Sequence, residues 1–419
     1  MRTFFRFVLQ SVLGMLGLSV YILADTFFIA NYIGADGLAA LNLALPVYGV
    51  INGTGLLAGI GGGVRYTILR TRGEPRAGAS FSASLALGGA AAGLFIAAGL
   101  LFPDTLARLL GAEGSVLAPT TIYLQVCCLF SPLFLLNDIL VAFTRNDGAP
   151  GRGMLAMLLG SLANIVMDWY FVCVAGMGMF GAVLATGMAP VFGITLCLCR
   201  KRSYRPCAGF LKEIPRILSA GLSSFVGELS STVVILVFNY LLLALSGSTA
   251  VAAYGIIANV ALVATAMLTG AAQGAQPLFS QAFAGRDEAA LRRFTRWGIR
   301  TVLLLGLFFT ALALFFPVPI VAVFSRDDAA LAALAVPGLS LYFLNYLFSG
   351  ANLLLTAKFA ATERARPAAV LSLLRGVLLV VPCALLGTAL GGITGLWLAV
   401  PAAELLTLLA GILLTRRAG

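Results

Sequence analysis

The sequence predicts an all-α polytopic membrane protein with twelve transmembrane helices, arranged as two six-helix lobes related by a pseudo-two-fold axis along the membrane normal. Three observations support this fold class: the composition, the regular succession of long apolar runs, and an internal repeat. Of the 419 residues, 60% are hydrophobic and only 10% are charged, whereas soluble domains carry about 25% charged residues. This composition is typical of a chain that lies mostly within a lipid bilayer.

Long apolar runs recur along the whole chain, and each is long enough to cross a bilayer as a helix. A crossing needs roughly 20 apolar residues at a rise of about 1.5 Å per residue. We number the runs helix 1 to helix 12; they span residues 4–32, 38–63, 78–102, 116–143, 153–174, 178–199, 215–245, 249–276, 297–323, 331–357, 367–388 and 392–414. The first run is long and has no small-residue cleavage pattern, so we interpret it as the first span.

Lysine and arginine are segregated between the loops. Nearly all of the 27 basic residues lie at the termini or in loops that follow even-numbered helices, while the opposite loops hold only Arg108 and Arg326, and Arg375 falls inside helix 11. Because basic loops stay in the cytoplasm, we expect a protein of the cytoplasmic (inner) membrane with both termini cytoplasmic. The net charge of +11 therefore does not indicate a nucleic-acid partner. The clusters are Arg2 and Arg6; Arg65, Arg70, Arg72 and Arg76; Arg145 and Arg152; Arg200, Lys201, Arg202, Arg205, Lys212 and Arg216; Arg286, Arg292, Arg293, Arg296 and Arg300; Lys358, Arg364 and Arg366; and Arg416 and Arg417.

The two halves of the chain resemble each other. The aligned segments are 33–63 with 245–275, at an offset of 213, and 178–186 with 392–400, at an offset of 214. Two matches at nearly the same offset indicate duplication of a six-helix unit, and both copies begin on the same side of the membrane. The division predicts an N-terminal lobe at 1–200, a cytoplasmic linker at 201–214 and a C-terminal lobe at 215–419.

Several classes of site are excluded by residue types that the chain lacks. Histidine is absent, so no histidine proton relay or histidine metal site exists, and no nucleophile–base constellation indicates an enzyme. The seven cysteines are expected to be free thiols, since most of them lie within apolar runs. A channel would need a repeated pore motif, which the sequence lacks. No cofactor is expected.

Five acidic residues fall within the predicted spans: Asp25, Asp138, Asp168, Glu228 and Glu404. A carboxylate at the centre of a bilayer costs roughly 2.5–3.5 kcal/mol on insertion scales, so it is usually functional or paired.

One polar set links helices 1, 5 and 6. Tyr21 and Asp25 are four residues apart on helix 1, as are Asn164 and Asp168 on helix 5, and each pair therefore shares a helix face. Thr186 lies one short hairpin later. Carboxylate, amide and hydroxyl oxygens suit a hard cation such as Na⁺, and carboxylates removed from water equally bind H⁺. No Lys or Arg lies within these three helices away from their ends.

Two further groups of polar residues fall at depth. Asp138, beside Asn137 on helix 4, lines a cavity or makes a structural hydrogen bond, and Glu228 is a cavity carboxylate or a second coupling site. Arg375 and Glu404 are the only residues of opposite charge at depth in the second lobe, and we expect a structural ion pair between them.

At this point the chain resembles the multidrug and toxic compound extrusion (MATE) family, whose members are twelve-helix, two-lobed antiporters. The resemblance covers essentially the whole chain and depends on the order and spacing of several motifs. These are ADTFFIANYIG (24–34), NDGAP (146–150), ANIVMDWYF (163–171), GMGMFGAVLAT (176–186) and GITGLWLAVPAAE (392–404).

The resemblance implies a first-lobe cation site at Asp25, Asn164, Asp168 and Thr186, with Tyr21 as a neighbour. The chain departs from the family at two positions. Family members usually have a proline near the start of helix 1, where this chain has Gln10. One branch pairs a helix 7 glutamate, to which Glu228 corresponds, with a helix 10 acid, but helix 10 offers Asn345 and no acid. We therefore favour coupling in the first lobe.

The function implied is secondary active multidrug efflux by alternating access, in which H⁺ or Na⁺ is exchanged for amphipathic, often cationic organic compounds. The predicted substrate cavity comprises Asn137, Asp138, Glu228 and Asn345, and a monomer in the lipid bilayer is expected. The alternative is a flippase or exporter of lipid-linked oligosaccharides or other metabolites from the same superfamily. Such flippases usually have fourteen spans and a cationic cavity, whereas this chain has twelve predicted spans and only Arg375 at depth.

Overall fold

The computed structural model describes residues 1–199, 204, 206–325 and 328–416, and these residues are almost entirely helical. Part of the predicted linker lies outside the described residues. The basic residues used for the orientation prediction that also lie outside them are Arg200, Lys201, Arg202, Arg205, Arg326 and Arg417.

Apart from the end of helix 2, the first six spans follow the predicted runs closely. Helix 4 consists of two segments that meet at Phe130 with a bend of 50°, because Pro132 in the second segment has no N–H to continue the first. The spans are helix 1, Arg2–Phe28, continued by the π-helix Ile29–Ile33; helix 2, Ala35–Thr71; helix 3, Ala79–Leu101; helix 4, Leu117–Leu129 with Ser131–Asn146; helix 5, Pro150–Asp168, continued by the π-helix Trp169–Val174; and helix 6, Gly178–Leu198.

The last six spans include two pairs of consecutive helices in which the backbone hydrogen bonds continue across residues that have non-helical dihedral angles. Ile214–Ala284 is broken at Ser246 and Gly247 into helices 7 and 8, and the break at Gly392 separates helix 11 from helix 12. The remaining bounds are helix 9, Glu288–Phe315; helix 10, Ala329–Tyr342 with the 3₁₀ turn Phe343–Asn345 and Tyr346–Ala361; helix 11, Ala365–Leu373 with the π-helix Leu374–Leu378; and Val380–Arg416, which holds the end of helix 11 and helix 12.

The predicted twelve spans in two lobes are confirmed. By length and apolar composition, 9 helices of the described residues can cross a membrane, or 10 when the bent pair of helix 4 counts as one span. The segment Phe210–Ala284 has 75 residues and Ala365–Arg416 has 52. As one straight helix the longer segment would extend about 110 Å, far beyond the ~30 Å of a bilayer core. Each segment therefore crosses twice.

Three predicted spans have wrong boundaries: helix 2, helix 8, which continues past its predicted end at 276 to Ala284, and helix 9. The run 297–323 was expected to be one span, but helix 9 begins at Glu288 and ends at Phe315, and Pro317–Ser325 forms a separate short helix. The chain turns at Phe316, whose φ of −128° and ψ of 37° are not helical. Helix 2 also continues past its predicted end, so Arg65 and Arg70 lie in the helix and not in the loop that follows it.

The sequence repeat recurs in the backbone geometry. Gly34 and Gly247, 213 positions apart, both combine a positive φ with an extended ψ, a conformation open essentially to glycine alone. Gly178 and Gly392 share a φ of 57°, and helices 3 and 9 are each followed by a short helix that begins with proline. Equivalent breaks at equivalent positions support the duplication. The lobe limits 1–200 and 215–419 stay a prediction.

The two lobes pack through glycines near one membrane face. We define the basic face as the face that carries both described chain ends and the turns after helices 2, 4, 8 and 10. A Cβ added to Gly61 of helix 2 would lie 2.3 Å from the carbonyl oxygen of Ile217 on helix 7, and one added to Gly274 of helix 8 would lie 2.7 Å from the carbonyl oxygen of Phe7 on helix 1. Only glycine permits backbones to approach this closely, so these positions bring the lobes together.

Candidate cation site in the first lobe

The pocket between helices 1 and 5 depends on two glycines of helix 1. A Cβ added to Gly14 would lie 3.0 Å from the Sδ of Met157, and one added to Gly17 would lie 2.5 Å from a terminal methyl carbon of Leu158. Small residues at these positions let helix 1 pack closely against helix 5. This packing holds the Asp25 face of helix 1 against the Asp168 face of helix 5.

The structure brings together the polar residues expected on helices 1, 5 and 6. Asn164 and Asp168 have no exposed surface, and Asp25 and Thr186 are buried at 7% and 6% exposure. In the amide orientation that satisfies its neighbours, Asn164 donates to Asp168 Oδ2 at 3.0 Å and accepts from the Thr186 backbone N–H at 3.3 Å. The carboxyl groups of Asp25 and Asp168 lie close enough for their charges to interact.

Each carboxyl group keeps one oxygen without a protein partner. Oδ1 of Asp25 and Oδ1 of Asp168 are both buried and accept no hydrogen bond. Among the described residues, no Lys or Arg forms an ion pair with either aspartate. A buried carboxylate without a counter-charge is costly, so these oxygens are suited to bind a proton or a small cation.

Tyrosines surround the pocket, and the sequence reasoning missed one of them. The hydroxyl of Tyr21 lies 3.3 Å from that of Tyr48 on helix 2, and Tyr123 of helix 4 is buried close enough to interact with both aspartates. Tyr48 follows Pro46 within an apolar run, so the sequence does place a phenolic oxygen within a predicted span. That polar group at depth could have identified Tyr48 as a candidate.

Both aspartates lie just before a π-helical segment. Ile29–Ile33 begins one turn after Asp25, and Trp169–Val174 begins directly after Asp168. Widened turns of this kind are rare and are found preferentially at functional sites. Nothing in the sequence indicates these segments, since most of their residues are ordinary apolar and aromatic ones.

Asp138 and Glu228 both contact helix 2, one from each lobe. A Cβ added to Gly55 would lie 2.4 Å from Asp138 Oδ2, and Asn52 donates to Glu228 Oε1 at 3.0 Å. Both acids are half-buried although they lie in the middle of their spans. Asn137 points elsewhere, because a Cβ added to Gly193 of helix 6 would lie 2.5 Å from its Oδ1.

Asn345 differs from its predicted position in the cavity. Its side chain is buried at 4% exposure, and Nδ2 donates to the Tyr342 carbonyl at 2.7 Å. This bond lies within the 3₁₀ turn Phe343–Asn345 of helix 10. The structure thus gives it a local role.

Arg375 and Glu404 form a buried ion pair in the second lobe. Arg375 Nη2 lies 2.8 Å from Glu404 Oε1, and Asn352 donates to Glu404 Oε2 at 2.6 Å. The side chains are 19% and 5% exposed. With a counter-charge and an amide donor, Glu404 has its partners inside the protein, unlike the aspartates of the first lobe.

Curated relatives cover most of the chain. The multidrug export protein MepA of Staphylococcus saprophyticus is 29% identical over 406 residues, which cover 93% of this chain and 88% of that protein. MepA of Staphylococcus aureus strain MRSA252 is 28% identical over 420 residues, which cover 94% of this chain and 88% of that protein.

Solved structures share the fold along the whole chain. A MATE protein in complex with MaL6 superposes with a TM-score of 0.91 at 21% identity. An outward-facing conformation of a multidrug resistance MATE family transporter of the MOP superfamily gives 0.89 at 21% identity. Each comparison covers 99% of this chain and 95% of the other. The sequence model of the MatE family matches residues 11–170 and 223–386, and because this match takes in most of both lobes, the chain belongs to the multidrug and toxic compound extrusion (MATE) family.

Proposed function

We propose that this protein is a secondary active multidrug exporter that exchanges H⁺ or Na⁺ for amphipathic, often cationic organic compounds. The observation that carries the proposal is the pair of buried carboxyl groups at Asp25 and Asp168, each with an oxygen that no protein group satisfies. The family consists of transporters, and the relatives that match over most of the chain are named multidrug export proteins.

The coupling ion binds at Asp25 and Asp168 in this proposal. The two buried Oδ1 atoms that accept no hydrogen bond are the positions for the ion, whether it is H⁺ or Na⁺. Na⁺ would use the same aspartates together with the hydroxyl of Thr186, and it would require Asn164 to turn its amide oxygen inward. When H⁺ or Na⁺ binds, it neutralises the carboxylates. Ion binding therefore removes the negative charge that attracts a cationic substrate.

The substrate binds at the centre of the molecule, beside Asp138 and Glu228. These half-buried carboxylates come from different lobes and contact helix 2 less than one turn apart, at Asn52 and Gly55. An organic cation at this position would touch both lobes, so its affinity would change when the lobes move relative to each other.

The basic face is assigned to the cytoplasm. The assignment is supported by the basic residues of the turns and chain ends, which are retained on that side of bacterial inner membranes. In this orientation the glycine contacts between the lobes close the protein toward the cytoplasm, and the ion enters from the opposite side.

The test is transport by the purified protein in proteoliposomes with a pH gradient and a Na⁺ gradient imposed separately. The readout is the movement of a fluorescent quaternary ammonium dye, whose charge does not depend on pH. We expect one of the two gradients to drive the dye against its concentration gradient. If neither gradient drives the dye, although the protein is inserted and binds it, the antiport proposal is wrong.

A further inference from the structure

A cluster of charged side chains joins the two lobes at the basic face. Arg65 of helix 2 donates from Nε to Glu213 Oε2 at 2.6 Å and from Nη1 to Glu363 Oε1. Glu213 precedes helix 7, and Glu363 lies in the turn between helices 10 and 11. One cation from the first lobe therefore binds a carboxylate at the end of the linker, directly before helix 7, and a carboxylate of the second lobe. We call Arg65, Glu213 and Glu363 the Arg65 cluster.

The cluster is shielded from water at its centre. The side chains of Arg65 and Glu213 are 7% and 11% exposed, whereas Glu363 is 37% exposed. Arg216 lies 3.0 Å from Glu213 and supplies a second positive charge at the rim. If the lobes separated here, Arg65 and Glu213 would lose their counter-charges and would have to be hydrated, so this contact favours the closed arrangement of the basic face.

The backbone of Glu363 indicates that the carboxylate is placed there at a conformational cost. Its φ is 57°, in the left-handed region that a non-glycine residue rarely adopts. The equivalent turn of the first lobe, between helices 4 and 5, has Gly148 at this place with a φ of 84°. Glycine would fit the turn better, but it could not reach Arg65. A residue that its contacts hold in a strained backbone conformation is typical of a switch or a ligand clamp.

The cluster adjoins the closest approach of the lobes. Arg65 lies one helical turn beyond Gly61, whose backbone meets Ile217 of helix 7, and Gly221 in turn meets the carbonyl oxygen of Leu57. These contacts involve small, uncharged groups. They set the distance between the lobes but do not determine which charged side chains pair across it. The ion pairs and the glycine contacts can therefore form and break together.

We propose that the Arg65 cluster is an ionic lock that holds the two lobes together at the basic face and breaks whenever that face opens. The inference builds on the proposed alternation between two open faces, but it is independent of the coupling ion and of the substrate. It gives Arg65, Glu213 and Glu363 a role in setting the population of the two forms, which the carboxylates of the first lobe then shift when their ion binds.

The experiment measures hydrogen–deuterium exchange by mass spectrometry on the full-length protein in lipid nanodiscs, with no drug and no ion gradient. The variants are Arg65→Gln and Glu363→Gly. In both we expect backbone amides near the basic face, at 61–71 of helix 2 and 214–225 of helix 7, to exchange faster by roughly tenfold or more, because the open form becomes more populated. Peptides at the opposite face should keep their rates.

Glu363→Gly separates the lock from the stability of the turn. Glycine relaxes the backbone at this position, so a purely structural role for the turn predicts unchanged or slower exchange. Faster exchange at the basic face supports the lock. The double variant Arg65→Gln/Glu363→Gln should exchange faster by less than the two single effects combined, since Arg65 and Glu363 share one contact while Arg65 also pairs with Glu213 and Glu363 with Arg72.

Arg70→Gln is the matched control. Arg70 lies one and a half turns further along the same helix and pairs with Asp147 at 2.5 Å, but this pair stays within the first lobe. We expect no opening at helix 7 in this variant. The proposal is overturned if Arg65→Gln leaves exchange at the basic face unchanged, or if Arg70→Gln raises it as much. Loss of drug transport with a normal exchange response would count against the antiport proposal and leave the lock intact.

Discussion

Replacing Asp25 with asparagine tests the coupling proposal most directly. The side chain is 7% exposed and asparagine has nearly the same shape, so the packing of helix 1 against helix 5 should persist. The amide cannot take up a proton at Oδ1, and it removes one of the two negative charges that a small cation would bind. The variant should therefore bind substrate but lose the link between the ion gradient and transport.

The expected magnitude follows from the number of groups in the pocket. Asp25 and Asp168 offer one unsatisfied oxygen each, so we consider one proton for the pair in each cycle. A pH difference of two units is worth about 2.7 kcal/mol per proton, which sustains roughly a 100-fold concentration ratio of the dye. In Asp25→Asn this ratio should fall to about one.

The assay is accumulation of the quaternary ammonium dye in proteoliposomes after a pH jump, compared at equal amounts of inserted protein. If the protein couples to Na⁺, a Na⁺ gradient replaces the pH jump and the same loss is expected. Asp36→Asn is the control, because Asp36 is an exposed acid at the start of helix 2 and should leave the ratio unchanged. Full accumulation by Asp25→Asn under the gradient that drives the wild type would refute the role of the carboxylate pair.

Two further predictions concern the second lobe and the contact between the lobes. Glu404→Gln leaves Arg375 largely buried without its counter-charge, and we expect a stability loss of roughly 3–5 kcal/mol. The readout is a lower melting temperature and a lower yield in detergent. The control Glu288→Gln, which removes one partner of an exposed ion pair, should change neither the melting temperature nor the yield. A well-expressed, heat-stable but inactive Glu404→Gln would instead indicate a direct role in transport. Gly61→Ala should destabilise the closed basic face by about 1–3 kcal/mol through overpacking and should speed amide exchange there. The control Gly89→Ala, at a position with open space around it, should have neither effect. Equal amide exchange in the two variants would contradict the proposed packing.

The spans could be predicted from the sequence because the bilayer imposes them one at a time. Each crossing must be long, apolar and internally hydrogen-bonded, and this requirement is local. The error at the end of helix 2 arose where a local rule met a tertiary contact. Arg65 was assigned to a loop because a charged residue normally ends a span, but Glu213 and Glu363 provide counter-charges that let helix 2 continue as far as Thr71.

The candidate site could be predicted only in part. Asp25, Asn164 and Asp168 were identifiable because polar residues at i and i+4 on an apolar helix are conspicuous. Tyr48 was not identified, and the hydrogen bond that Asn345 donates within helix 10 was not foreseen, since neither residue type shows from the sequence which way its side chain points.

The sequence by itself determined the number of crossings, the duplication and the presence of acidic residues at depth, because composition and periodicity act over one helix at a time. Only the tertiary structure decided which of these charges are paired. Glu404 has Arg375 as its counter-charge, whereas neither Asp25 nor Asp168 has an ion-pair partner in the part of the chain that the structure describes, and this difference depends on residues far apart in the chain. It arises from helix packing, in which glycines set how closely the backbones approach and therefore which charged groups meet.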